Sequence, residues 1–127
     1  MYLRRNKYRN HRITVNDESF DSKKEFHRFV ELRILEDAGV IRNLQRQVKY
    51  ELIPAQREPE TVNQRGRMIP GKVIERAVIY VADFVYEQNG EIIVEDVKGY
   101  RGGKAYDLFK IKKKMLLYRY GIRIREV

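Results

Sequence analysis

The ten residues from Ala77 to Tyr86 constrain this chain more than any others. They are almost unbroken apolar sequence, and Asp83 is their only charge. The run is too short and too β-branched for a buried helix, so it predicts a central strand covered on both faces. Glu87-Gln88-Asn89-Gly90 supplies a hairpin turn, and Glu91 to Lys98 predicts the returning strand. Side chains alternate across a strand. Asp96 and Lys98 therefore share a face with Ile92 and Val94, and Asp83 shares one with Ile79, Val81 and Val85.

Three charges on apolar strand faces need a reason. An isolated charge taken out of water costs several kcal/mol, a large share of a total stability of about 5–15 kcal/mol. One solution is a buried salt bridge of Lys98 with Asp83 or Asp96. It leaves the second carboxylate raised in pKa by desolvation and repulsion. The other solution is a divalent cation, since two carboxylates on adjacent hairpin strands suit Mg²⁺ (or Mn²⁺), whose remaining positions go to water and phosphate.

The rest of the chain supplies the frame. Arg12 to Phe20 predicts a small hairpin around Asn16-Asp17-Glu18. Asp21 to Glu25 opens a helix that runs to about Ala38, with Phe26, Phe29, Val30, Leu32 and Ile34 as its apolar side and Gly39 just past its end. Val48, Tyr50 and Leu52 alternate with charges in a strand that Pro54 stops. Residues 54–72 predict a long loop or hairpin arm, unusual enough in a small domain to be a binding element. After Gly99, Gly102 and Gly103 come a second helix, about Lys104 to Tyr120, and a last strand, Ile122 to Val127. Leu108, Ile111, Met115 and Tyr118 are expected to be the second helix's core stripe. The whole predicts one domain over residues 1–127, of α/β class with a mixed sheet of α+β type. Its core order is helix, strand, strand, strand, helix, strand, behind a basic arm at 1–12 and the small hairpin.

Charge placement points to a polyanion. Residues 1–12 carry five basic residues and no acid, and residues 98–125 carry ten against Asp107 alone, within a net charge of +9. Two concentrated basic zones suit nucleic acid, with Arg4, Arg5, Arg101, Lys104, Lys110, Lys113 and Lys114 as expected contacts; a solvated basic surface is the alternative. The absence of cysteine removes disulfides, zinc–thiolate sites and thiol catalysis. Two histidines, His11 and His27, are too few for a multi-histidine centre. No apolar run approaches a membrane span and the basic N-terminus lacks the apolar stretch of a secretory signal, so a cytoplasmic location is expected.

Asp83, followed after twelve residues by Asp96-Val97-Lys98 on two hairpin strands, resembles the PD-(D/E)xK nuclease superfamily, which includes restriction endonucleases and phage resolvases. Residues 20–127 carry the resemblance. Ala82 stands where the family's proline often stands. The stretches Phe20, Gln47 to Pro54 and Tyr80 to Phe84 are similar to a small family of bacterial phages and prophages regarded as nuclease-like. The resemblance implies a restriction-endonuclease-like core, an Mg²⁺- or Mn²⁺-dependent endodeoxyribonuclease, products with 5′-phosphate ends, branched or junction DNA as substrate, and a homodimer. It implies that Asp83 and Asp96 hold the metal and that Lys98 orients the attacking water. Many members add a glutamate from the first helix to the catalytic and metal-binding set, and Glu25 matches by position. Ser22-x-x-Glu25 is equally a capping box, in which Glu25 satisfies the helix start. Gln47 has two readings as well, a contact to the site or an ordinary edge residue. A catalytically inactive nucleic-acid-binding protein on the same fold is the rival function. A ribosomal type of RNA-binding protein fits the charge but gives no reason for carboxylates inside a sheet.

Overall fold

Asn89 and Gly90 both take positive φ, 51° and 78°, the backbone of the tight turn that joins twisted antiparallel strands directly. Around it the computed structural model, which describes residues 12–127, folds in the order β1 (Ile13–Val15), β2 (Glu18–Phe20), α1 (Lys23–Asp37), β3 (Arg42–Ile53), β4 (Gln56–Arg57), β5 (Thr61–Val62), β6 (Met68–Ile69), β7 (Val73–Glu75), β8 (Val78–Gln88), β9 (Glu91–Asp96), α2 (Gly103–Tyr120) and β10 (Ile124–Glu126). The class is mixed α and β. A four-stranded sheet runs β10-β9-β8-β3, antiparallel except for β10, which lies parallel to β9 with Ile124 beside Val94. A parallel neighbour needs a crossover, and α2 is that crossover. Among the described residues no helix is long and apolar enough to cross a membrane.

Two cores flank the sheet. Phe109 and Leu116 of α2 pack with Leu52, Tyr80, Ala82, Val85, Val94 and Ile124, whereas Leu32 of α1 packs with Ile41, Phe84 and Tyr86. Phe84 and Val85, successive and so opposite in direction, fall on different sides. The alternation is not continuous along β8, however. Tyr80 and Ala82 face α2, while Phe84 and Tyr86, of the same parity, face α1. On β3 Val48, Tyr50 and Leu52 likewise lie with α2 and Leu44 with α1. Both strands change sides where Gln47, at φ 53°, stands across from Asp83 in the β3–β8 register.

Three packing expectations are corrected. Val30 and Ile34 are exposed, and the buried face of α1 is Glu25 and Leu32 with Phe29 and Leu35 beside them. In α2 the stripe of Leu108, Ile111 and Tyr118 is exposed; the helix buries Phe109 and Leu116, with Tyr106 and Met115 against the same core. Apolar residues lie on more than one side of α2, so spacing alone could not choose between them. Finally, β8 is not covered on both faces along its whole length, because Ile79 and Val81 are each 38% exposed. Strand β9 ends at Asp96, although Val127 N–H donates to Asp96 O and Lys98 N–H to Val127 O just beyond it.

The segment after Pro54 is an arm. Its pairs Gln56 with Glu75, Arg57 with Val73, Thr61 with Ile69 and Val62 with Met68 continue the register of β3 with β8, symmetric about position 65 to within half a residue. One hairpin thus runs from the sheet out to its tip. At the arm's waist Gly71 is pressed against the opposite strand, and a Cβ there would lie 1.8 Å from Glu58 O. Gly71→Ala is expected to break the neighbouring Glu58 N–H to Lys72 O bond of 2.8 Å. Hydrogen exchange should speed up at the Glu58 amide while global unfolding changes by less than about 1 kcal/mol.

Candidate active site

Asp83 and Asp96 are brought together by the β8–β9 hairpin. Val85 pairs with Val94 and Phe84 with Glu95, so the register carries Asp83 to the position across from Asp96 on one face. Asp83 Oδ2 accepts the Val97 N–H at 2.8 Å. Asp96 is buried and accepts the Tyr80 hydroxyl on Oδ2 at 2.7 Å, while the Lys98 ammonium sits 2.8 Å from Oδ1. Lys98 also lies 3.4 Å above the centre of the Phe109 ring, a cation–π contact that restrains where the ammonium points.

Glu25 arrives from α1. It is 3% exposed, and its two oxygens do different things. The Glu25 N–H donates to the Ser22 hydroxyl at 3.1 Å, the Ser22 half of the capping box, while Oε2 accepts the N–H of Asp21, one residue before the cap, at 3.3 Å in place of that of Ser22. Oε1 turns the other way. It accepts from the Gln47 amide at 3.2 Å and stands 3.5 Å from the Arg46 guanidinium. Gln47 donates as well to Asp83 Oδ1 at 3.4 Å. The two readings of Glu25 are therefore compatible, and Gln47 is a side chain that touches both acids.

The electrostatics are those of acids short of positive charge. Burial pushes Asp83 up to about 7, with repulsion from Asp96 and Glu25 adding to it and the Val97 N–H and Lys98 opposing it. Burial also raises Glu25, and the charge of Asp21 adds to that. Tyr80 is held well above its usual value by burial and by Asp96 beside it, so it stays a donor. Among the described residues no group of three or more His, Cys, Asp or Glu side chains is gathered as a metal cage. What the hairpin offers is the pair Asp83 and Asp96, which fits an ion that keeps most of its positions for water and phosphate.

A stability test follows from the sign of the Asp83 shift. Its folded pKa lies above the unfolded value, so the folded state favours the proton. That stabilisation is complete below about pH 4 and is lost as pH rises through about 7. Without divalent cations, Asp83→Asn is expected to be more stable than wild type at pH 8, by a few kcal/mol at most, and the gap should close at pH 4. Mg²⁺ or Mn²⁺ should raise the melting temperature of wild type at pH 8 and leave Asp83→Asn nearly unmoved. Denaturant titrations at the two pH values and thermal melts check this.

A family model described as "Protein of unknown function (DUF1064)" matches residues 5–125. The chain belongs to that family. No curated protein and no solved structure matches it.

Lys104 and Lys114 are exposed. Lys110, Lys113 and Lys114 line a groove of about 570 Å³ between α2 and the approach to β10, to which Arg123 adds a fourth cation. Part of that charge is already answered. Glu126 holds Lys113 at 2.7 Å and Arg101 at 3.6 Å and accepts the Tyr106 hydroxyl, which together keep its carboxyl below the usual range, Lys113 first. Asp107 faces Lys110 at 3.4 Å. Arg4 and Arg5 lie outside the described residues.

Several residues of the neighbourhood escaped the sequence reading. Glu95, adjacent to Asp96, is fully buried on the α1 side. Arg28 of α1 holds both its oxygens, at 2.8 and 2.7 Å, and the Tyr86 hydroxyl donates to it too. The signal was present: two consecutive acids in a strand must point to opposite faces, so where both faces are covered neither is a surface charge. Arg46 was missed for another reason. Its guanidinium stacks 3.8 Å over Phe20 and donates to Ser19 O, contacts that join segments far apart in sequence.

Proposed function

We propose that this protein is an Mg²⁺- or Mn²⁺-dependent nuclease that hydrolyses DNA phosphodiester bonds on a restriction-endonuclease-like core. The observation that carries the reading is the hairpin pair of half-buried Asp83, raised to about 7, and buried Asp96, with Lys98 fixed at its edge by Asp96 and Phe109. An acid placed at such cost, next to a restrained ammonium, is the arrangement expected of chemistry more than of packing. The element order α1, β3, β8, β9, α2, β10 supports it, because it follows the order that the PD-(D/E)xK resemblance implies.

Asp83 and Asp96 would hold the metal, with Glu25 assisting through its contact with Gln47. When bound, the ion supplies positive charge at the scissile phosphate and an acidified water. Lys98 donates hydrogen bonds from a fixed position, suited to orienting the nucleophile and to stabilising the charge that develops on phosphate oxygens. Tyr80 and the Val97 N–H each occupy one carboxylate oxygen, which fixes the orientation of both acids. Lys110, Lys113, Lys114 and Arg123 form a face that suits a DNA backbone. Branched or junction DNA is the preferred substrate on the resemblance alone.

The reading is tested by incubating purified protein with linear duplex, single strand, flap and four-way junction, each with Mn²⁺ and Mg²⁺. Cleavage that stops with chelator and leaves 5′-phosphate ends is expected. The rival, an inactive DNA-binding protein, draws on the closed 2.8 Å pair of Lys98 with Asp96 and on the absence, among the described residues, of three or more such ligands gathered around one point. Intact DNA in every arm, with melting temperatures indifferent to both cations, would favour that rival.

A further inference from the structure

The geometry points to a second nucleic-acid contact on this protein: the tip of the arm, with Arg65 and Arg67, seats in a groove of duplex DNA well away from Asp83. The inference rests on the DNA-binding half of the function proposed above, and not on the cleavage chemistry.

The tip is built to hold its shape. Asn63 Oδ1 accepts the N–H groups of Arg65 and Arg67, both at 2.9 Å, the Asn63 N–H donates to Arg67 O at 3.0 Å, and the Gly66 N–H donates to Asn63 O at 3.0 Å. This satisfies the turn's backbone locally and leaves both arginine side chains exposed. Neither is paired with a carboxylate among the described residues, and from Thr61 to Gly71 the chain carries no acid at all.

Behind the tip the ribbon carries uncovered apolar side chains. Val62 and Met68, paired across the strands, are 61% and 60% exposed, and Ile69, Val73 and Ile74 are exposed too. A two-stranded ribbon with no third layer is marginal in water; Val62 and Met68 stand side by side on one of its faces and Ile69 on the other, exposed apolar side chains suited to working against something else. A purely electrostatic partner does not call for Val62, Met68 and Ile69, and a purely apolar one does not call for two unpaired arginines. A duplex groove calls for both. Its phosphate walls attract guanidinium groups, its floor presents sugar and base edges to apolar side chains, and its width admits a two-stranded β-ribbon.

Reach sets the test. The tip lies about 18 residues from Asp83 along β8 and the arm, at most roughly 60 Å at ~3.3 Å per residue. That span corresponds to about 18 base pairs. With the arm extended, a long duplex spans both sites, whereas one of about 12 base pairs bound at the active site stops short of the tip. Binding is measured by anisotropy with chelator present on duplexes of about 40 and about 12 base pairs over a series of salt concentrations, for wild type and Arg65→Ala/Arg67→Ala.

On the long duplex the variant is expected to bind at least about tenfold more weakly, with a log–log salt slope smaller by about two. On the short duplex the two proteins should be equal. A thermal melt and sedimentation of both proteins accompany the titrations. Equal affinity of the two proteins for the long duplex overturns the inference. So does a wild-type dimer that the double substitution turns into a monomer, since the ribbon then covers a second copy of this chain. Mg²⁺-dependent cutting of the short duplex, assayed separately, keeps the two readings apart: arm-dependent binding without cutting removes the nuclease, and cutting without arm-dependent binding removes only the arm. Failure of wild type to bind any DNA removes both.

Discussion

Asp83→Ala is expected to abolish Mg²⁺-dependent DNA cleavage, by at least about a thousandfold in single-turnover rate, while affinity for the same DNA measured in Ca²⁺ changes by less than about threefold. The split is expected because Asp83 lies on the sheet, whereas the basic groove residues Lys110, Lys113 and Lys114 belong to α2. Alanine also removes the acceptor of the Val97 N–H, and Val97 lies between Asp96 and Lys98. Part of the loss could then arise from a displaced Lys98. Asp83→Asn separates the two effects, since its amide oxygen can still accept from Val97 while it brings no negative charge. Loss of cleavage in both variants assigns the charge itself to the chemistry. Full activity of Asp83→Asn would sink the assignment, and a fall in DNA affinity equal to the fall in rate would convert Asp83 into a binding residue.

The second large effect concerns the other face of β9. Removing Arg28 takes away the donors to both Glu95 oxygens and leaves the Tyr86 hydroxyl, with Arg125 behind it donating to that hydroxyl at 3.3 Å. Breaking one side of a buried pair costs roughly 3–5 kcal/mol, because the orphaned charge keeps its desolvation penalty without its partner. Arg28→Ala is therefore expected to lose about that much unfolding free energy in urea. Adding Glu95→Gln should recover most of it, since the buried charge disappears with its need for a partner. A loss below about 1 kcal/mol in Arg28→Ala would show that Glu95 finds other compensation. The pair also pins α1 to β9, one residue before Asp96 and one helical turn after Glu25, so the fold and the site share this fastening.

What the sequence disclosed follows from the kind of information each residue carries. The apolar run through Asp83, the Asn89-Gly90 turn and the Ser22 cap are local signals, and the corresponding elements stand where they predict. Asp96 and Lys98 could be placed on one face because strand alternation is strict over a few residues. Leu108, Ile111 and Tyr118 misled because a helix with apolar residues on several sides does not say which side meets a sheet. Phe109 was the decisive residue there, since it packs under Lys98 and against Tyr80. The reversal of facing at Gln47 and Asp83 had no local signature, because a glutamine at positive φ is chosen by its surroundings and not by its own preference. Sequence-level rules gave way at the site itself, where an ordinary strand would hide one acid from the other face's helix.

The continuous hairpin has a consequence for how such a chain can change. Residues inserted or deleted in equal number on the two sides of position 65 lengthen or shorten the arm and leave every pair from Ile53 and Val78 inward as it was. An unequal change shifts register and carries Asp83 away from Gln47. The length of the ribbon and the geometry of the acids are thus separately adjustable, and the sheet tolerates a tip of almost any span provided that its two halves grow together.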